Sequence, residues 1–182
     1  MVDETVIDVA VARRKAAVRA GVHNQRLWPS NAEVQEALYL QQQLFRPHQA
    51  AHLRELRRQA LQAMRVFDRF RPRLVGSVLD GSADRGSPVC LHLFADAPED
   101  IVHLLLQRGI PWSERERSLR YHGGVRKIHP VFSFLAGTTQ IELVVLPRHA
   151  MTTPPINPMS EKPDRGVGYE QVKALLDPES GG

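Results

Sequence analysis

The sequence predicts an α+β fold, a mixed β-sheet flanked by helices with an N-terminal helical segment. Three observations carry it. Apolar residues recur at three- and four-residue steps over much of the first 70 positions, the spacing of helices with one buried face. From 72 to 146 the pattern shortens to β-rich runs punctuated by glycine. A single helical pattern sits between two of those runs, on 98–108.

Taken in order, residues 1–22 read as a helix, with Val6, Ile7, Ala10, Val11, Ala17 and Val18 at roughly helical spacing. Arg13, Arg14, Lys15 and Arg19 lie toward its C-terminal end, where cations suit the helix dipole, and Gly21 is a plausible stop. Ser30 and Glu33 form a capping box, so a second helix should start near 31. Val34, Ala37, Leu38, Leu44 and Phe45 would be its apolar face, and Pro47 should break it. The next helix carries the stripe Leu53, Leu56, Ala60, Met64 and Phe67. On its other side Arg54, Arg58, Arg65 and Arg69 fall within about a 60° arc, a basic row able to meet RNA or the acidic face of a partner protein. A solvated face is the plainer account of such a row.

Strands are expected at 73–75, 89–94, 125–135 and 140–146. In the helix at 98–108, Ile101, Leu104 and Leu105 give the apolar side, Asp96 is the expected N-cap and Gly109 the stop. Ala136-Gly137-Thr138-Thr139 reads as a hairpin turn, which makes the last two strands antiparallel neighbours. From 147 to 168, Pro147, Pro154, Pro155, Pro158 and Pro163 occur without periodicity, the mark of a functional arm or a disordered connection. A short helix at 169–176 closes the chain. A single domain is expected, in three parts: helices of 1–70 packing on the core, the α/β core of 71–146, and the arm with its closing helix, 147–182.

Composition narrows the function classes. A chain of 182 residues, 42 % hydrophobic and 24 % charged, can bury a real core and is neither disordered nor collagen-like. It has no apolar run long enough for a membrane span. Asp3, Glu4 and Asp8 near the start argue against a secretory signal, so a cytoplasmic protein is expected. The single Cys90 excludes an internal disulfide and a multi-cysteine zinc site. The net charge of +4, from 24 Lys+Arg against 20 Asp+Glu, permits a polyanionic partner without requiring one.

The chemistry gathers after the first short strand. Leu74-Val75-Gly76-Ser77 sets a Gly-Ser pair at a strand end, where backbone N–H groups and a hydroxyl can cradle a phosphate. Asp80 and Asp84 follow in the loop, where turn-making is their expected role. Cys90 and His92 share one strand face, and Glu142 joins them if the strands pair suitably. Cys90, His92 and Glu142 are then a weak alternative metal site with water as fourth ligand, and Cys90 with His92 a weaker nucleophilic pair. His122 and His129 flank Arg120, Arg126 and Lys127, exposed basic positions that can contact nucleotide or simply favour solubility. Trp112 and Phe132 are expected in the core. Lys162 and Arg165 of the arm either fold over the Gly-Ser loop as a lid or belong to a wrapping surface segment.

The run GSVLDGSADRGSPVCLHLF, with a helix before it and IELVVLP after it, resembles the nucleotidyltransferase superfamily of DNA polymerase β type. It looks closest to the small bacterial, minimal nucleotidyltransferase-like proteins. The resemblance covers about residues 55–147, and the Gly-Ser pair with its spacing is the best-matched part. It implies that Gly76 and Ser77 hold the triphosphate and that Glu142 is the third metal-binding acid. The family's Ser-Asp-x-Asp falls on Ser87-Pro88-Val89-Cys90, so the other two carboxylates are replaced by Pro88 and Cys90. Two-metal transfer needs carboxylates to hold the ions, and neither proline nor a soft thiol replaces an aspartate for Mg²⁺. The resemblance thus implies a degenerate protein with residual nucleotide binding or a regulatory role. An active enzyme moving an NMP from an NTP to a protein, an RNA or a small molecule is the alternative, and Mg²⁺ and an NTP are implied only for that case.

Overall fold

The structure, a computed structural model, describes residues 30–177. The expected helix at 1–22 lies outside them. The chain's contacts separate two compact units, Met1–His48 and Gln49–Gly182.

Helix α1, Asn31–Val66, starts at the expected box. The Ser30 N–H donates to Glu33 Oε2 at 2.6 Å and the Glu33 N–H to Ser30 Oγ at 3.2 Å. Two expectations for the first unit fail. Pro47 does not break the helix, which continues through it. The flanks are rich in Ala, Leu and Gln, strong helix formers, and the carbonyl that Pro47 leaves without a donor can be hydrated at so exposed a position. The expected apolar face is also not buried: Leu38, Leu44 and Phe45 are exposed.

In the second unit the stripe does bury. Leu56, Ala60, Met64 and Phe67 are at most 2 % exposed, with Leu53 packed at the margin. A 3₁₀ turn, Asp68–Phe70, leads to β1, Arg73–Val75, and then to α2, Ser77–Asp80. Next come β2, Val89–Phe94, and α3, Glu99–Gln107. Strand β3, Ser113–Arg120, was not expected. A turn at His122–Gly124 joins it to β4, Arg126–Ala136, and the hairpin to β5, Thr139–Leu146. The last helix, α4, is Tyr169–Ala174.

The five strands form one mixed sheet in the order β1-β2-β5-β4-β3. β2 and β5 run parallel, the other neighbouring pairs antiparallel, including the expected β4–β5 hairpin. One face carries Val89, Leu91, Leu93, Ile141, Leu143, Val145 and Phe132 against α1 and Ile101, Leu104 and Leu105 of α3. Phe132 is buried in this cluster and Trp112 packs partly buried against it, as expected. The opposite face holds a smaller cluster, Phe94, Val131, Val144, Leu146 and Ala150. Asp96 is not the cap of α3: its carboxylate accepts the Arg148 N–H at 3.0 Å, and α3 begins after Pro98 with no side-chain cap.

The arm is built into the fold. A 3₁₀ turn, Arg148–Met151, is followed by isolated bridges between Ile156 and Pro163 and between Val167 and Leu74 of β1. No helix of the described residues is long and apolar enough to cross a membrane.

Candidate functional site

The Gly-Ser pair forms a sharp corner at the end of β1. Gly76 has φ +78° and ψ −155°, and a Cβ there would meet nothing within 4 Å, so conformation rather than crowding calls for glycine. Its carbonyl accepts the N–H groups of Leu79 and Asp80, both at 3.1 Å, which turns the chain into α2. Arg57 of α1, which sequence reasoning passed over, braces this turn. Its guanidinium donates to the carbonyls of Val78 at 3.1 Å and Leu79 at 3.0 Å. The loop acids are turn-makers. Asp80 accepts from the Ser82 backbone and hydroxyl, and Asp84 from the Gly86 N–H and the Ser87 hydroxyl. These hydrogen bonds hold both carboxyls below the usual range.

Pairing places the other residues in one row. Val75 lies opposite Cys90, Cys90 opposite Glu142, and Glu142 opposite Ser133, all on the face away from α1. Neighbouring strands are about 4.8 Å apart, so the row brings Glu142 to within two strands of the Gly-Ser corner. β3 supplies what the sequence reading lacked. Arg115 and Arg117 each bond one oxygen of Glu142, Arg117 at 2.5 Å, while Arg117 also reaches the Cys90 sulfur at 3.6 Å. Glu142 is 6 % exposed at its side chain, Arg115 51 % and Arg117 32 %. Burial alone would push the Arg117 guanidinium down; its bond to Glu142 and the Cys90 sulfur carry it above its ordinary value. Ser133 Oγ is buried in this row without a hydrogen-bond partner.

This arrangement corrects the weak metal alternative. Glu142 faces two cations, and among the described residues no three His, Cys, Asp or Glu side chains gather as a metal site. The nucleophilic reading of Cys90 fails with it. Burial pushes its thiol up to about 11, against the opposing charge of Arg117. Native Cys90 is expected to react with iodoacetamide at pH 7.5 about 100-fold more slowly than in the unfolded chain, following its thiolate fraction. Equal rates in urea and in buffer would sink that account.

His92 is 4 % exposed, and burial, with the charges of Arg117 and His129, lowers it to about 4 from 6.5. The unfolded chain therefore takes up a proton that the folded one refuses. The stability His92 supports is present above pH 6.5 and is lost as pH falls toward 4. Urea unfolding at a series of pH values is expected to show this slope, and His92→Leu is expected to flatten it.

His129 is not the exposed basic position expected. It is buried, and its Nε2 lies 2.8 Å from the Tyr121 hydroxyl. His122, Arg126 and Lys127 are exposed. The basic row on α1 is broken: Arg69 falls beyond the helix, bonding the Asp100 carbonyl and stacking on Phe70. Arg58 pairs with Glu55 and Arg65 lies over the Tyr169 ring, which leaves only Arg54 without a partner among the described residues. Lys162 is exposed; Arg165 points to the Met151 carbonyl at 3.5 Å, so the arm wraps the sheet edge at β1. No known protein family, curated protein or solved structure matches the chain.

Proposed function

We propose that this is a degenerate nucleotidyltransferase-like protein that binds a nucleotide without metal-dependent transfer. One observation supports it above the rest: Glu142 stands opposite Cys90 with Arg115 and Arg117 on its two oxygens. An active two-metal site would need carboxylates at Pro88 and Cys90 to share ions with Glu142. Here guanidinium groups supply positive charge at that end of the sheet, and guanidinium is well suited to phosphate oxygens. The open Gly76 corner and the Ser77 hydroxyl, which has no partner among the described residues, offer a polar edge for the same phosphates.

Calorimetric titration with ATP, GTP, CTP and UTP, with and without Mg²⁺ and Mn²⁺, tests this. Metal-independent binding, weakened by Ser77→Ala, is expected. Binding that requires the metal, or no binding of any of the four, would overturn it. Pro88→Asp with Cys90→Asp is expected to create Mg²⁺ binding at Glu142.

A further inference from the structure

A cavity of about 420 Å³ lies where the arm meets the β3–β4 turn, and we propose that it binds a small phosphate monoester. Its lining includes Lys127, Arg165, His122 and His149 and no carboxylate. Lys127 and Arg165 are the two charged residues of this lining, with His122 and His149 beside them and no acid, so the lining is electropositive and a dianion is the ligand that relieves this. The field is felt nearby. His129 is lowered by burial first, and further by Lys127 and His149, although a backbone bond at Val145 opposes them.

The walls are fixed before any ligand arrives. The Ile156 N–H donates to the Arg120 carbonyl at 2.7 Å, and Arg120 pairs with Glu161, so the arm is tied to the end of β3. The Tyr121 N–H donates to the Val125 carbonyl at 2.7 Å, closing the turn that carries His122. Thr152 and Thr153 donate their hydroxyls to the His149 carbonyl, which fixes the His149 backbone and leaves the cations as the donors. A preformed cavity costs little ordering on binding. Its volume exceeds a lone phosphate, and Val125, Pro154 and Ile156 give an apolar wall for a sugar- or nucleoside-sized body.

This site does not rest on the nucleotide reading above. The Gly-Ser corner lies by the row of Ser133, six residues or about 20 Å along β4 from Lys127. Arg117, opposite His129, is only two residues from the Lys127 register, so Ser77 is the residue that tells the sites apart. The two sites therefore separate by mutation. The protein, in EDTA, is titrated with ribose 5-phosphate and AMP, with ribose and adenosine as uncharged controls. The phosphates are expected to bind and the controls not. Lys127→Glu is expected to weaken binding at least about tenfold and Lys127→Gln less, while Ser77→Ala is expected to leave ribose 5-phosphate, which is not a nucleotide, bound as before. Lys127 and Arg165 are exposed, and near-ultraviolet circular dichroism reports whether the variants keep the fold. The proposal falls if neither phosphate binds, or if Lys127→Glu with Arg165→Ala leaves the affinity unchanged. It also falls if Ser77→Ala abolishes binding of both phosphates, which would put them at the Gly-Ser corner.

Discussion

Arg115→Ala combined with Arg117→Ala is expected to destabilise the protein by about 3–5 kcal/mol, because it strips both partners from a buried carboxylate. For a chain of this size that is roughly 10 °C in melting temperature. Glu142 lies in the central strand β5, between Cys90 on β2 and Ser133 on β4. Neither neighbour can replace a guanidinium: a thiol is a weak donor and one hydroxyl supplies one hydrogen bond. The single changes should cost far less, since either remaining arginine still serves the carboxylate. Their sum should fall short of the double change, which is the coupling a double-mutant cycle detects. Adding Glu142→Leu to the double variant is expected to restore most of the loss, because the desolvated charge disappears with it. Urea unfolding of the parent and these four variants decides the matter. Additive single effects of under about 1 kcal/mol each would mean that the cluster is solvated and that Glu142 does not depend on its arginines.

The same cluster shows what the sequence made legible. Val89-Cys90-Leu91-His92 and Ile141-Glu142-Leu143 announce strands by their apolar runs, and the alternation of two put Cys90 and His92 on one face, which Glu142 joins through the β2–β5 pairing that the sequence left as a condition. The short helix after Gly76 and strand β3 were not legible. Ser-Glu-Arg-Glu-Arg-Ser has neither β-branched nor aromatic residues, and its strand character comes from tertiary partners: antiparallel pairing with β4 and a buried carboxylate on β5. The signal was the strict Glu/Arg alternation, which sends Arg115 and Arg117 to one face and Glu114 and Glu116 to the other. Pro47 misled for a different reason. Its penalty is local, and a long run of strong helix formers outweighs it where solvent can reach the spare carbonyl. Asp96 looked like a cap, yet a partner 52 residues away, the Arg148 N–H, took its carboxylate. The arm escaped because its order comes from one bridge to β1, one bridge within itself and a hydrogen bond to Arg120 of β3 rather than from any period.

Gly166→Ala is expected to release that arm from the sheet. At φ +57° an alanine carries strain of about 1–2 kcal/mol. Its Cβ would also stand 2.6 Å from the Leu74 carbonyl oxygen and 2.8 Å from Val75 Cγ1. The oxygen is backbone of β1 and accepts the Val167 N–H at 3.0 Å, so it cannot yield without losing the bridge. Overpacking of this kind adds about 1–3 kcal/mol. The total is limited by the free energy that holds the arm down, because local opening becomes the cheaper escape. Amide exchange at Leu74 and Val167 should then accelerate more than exchange in β5, and protease should cut the arm while the sheet survives. Gly137→Ala is the matched control: its φ is +62° but a Cβ there meets nothing within 4 Å, so it carries only the strain. Should both variants unfold alike, the contact with Leu74 contributes nothing and backbone conformation is the whole effect. If Gly166→Ala alone loosens the arm, Arg165 leaves the basic cavity with it. Ribose 5-phosphate should then bind more weakly to this variant, while the Gly137→Ala protein binds as the parent does.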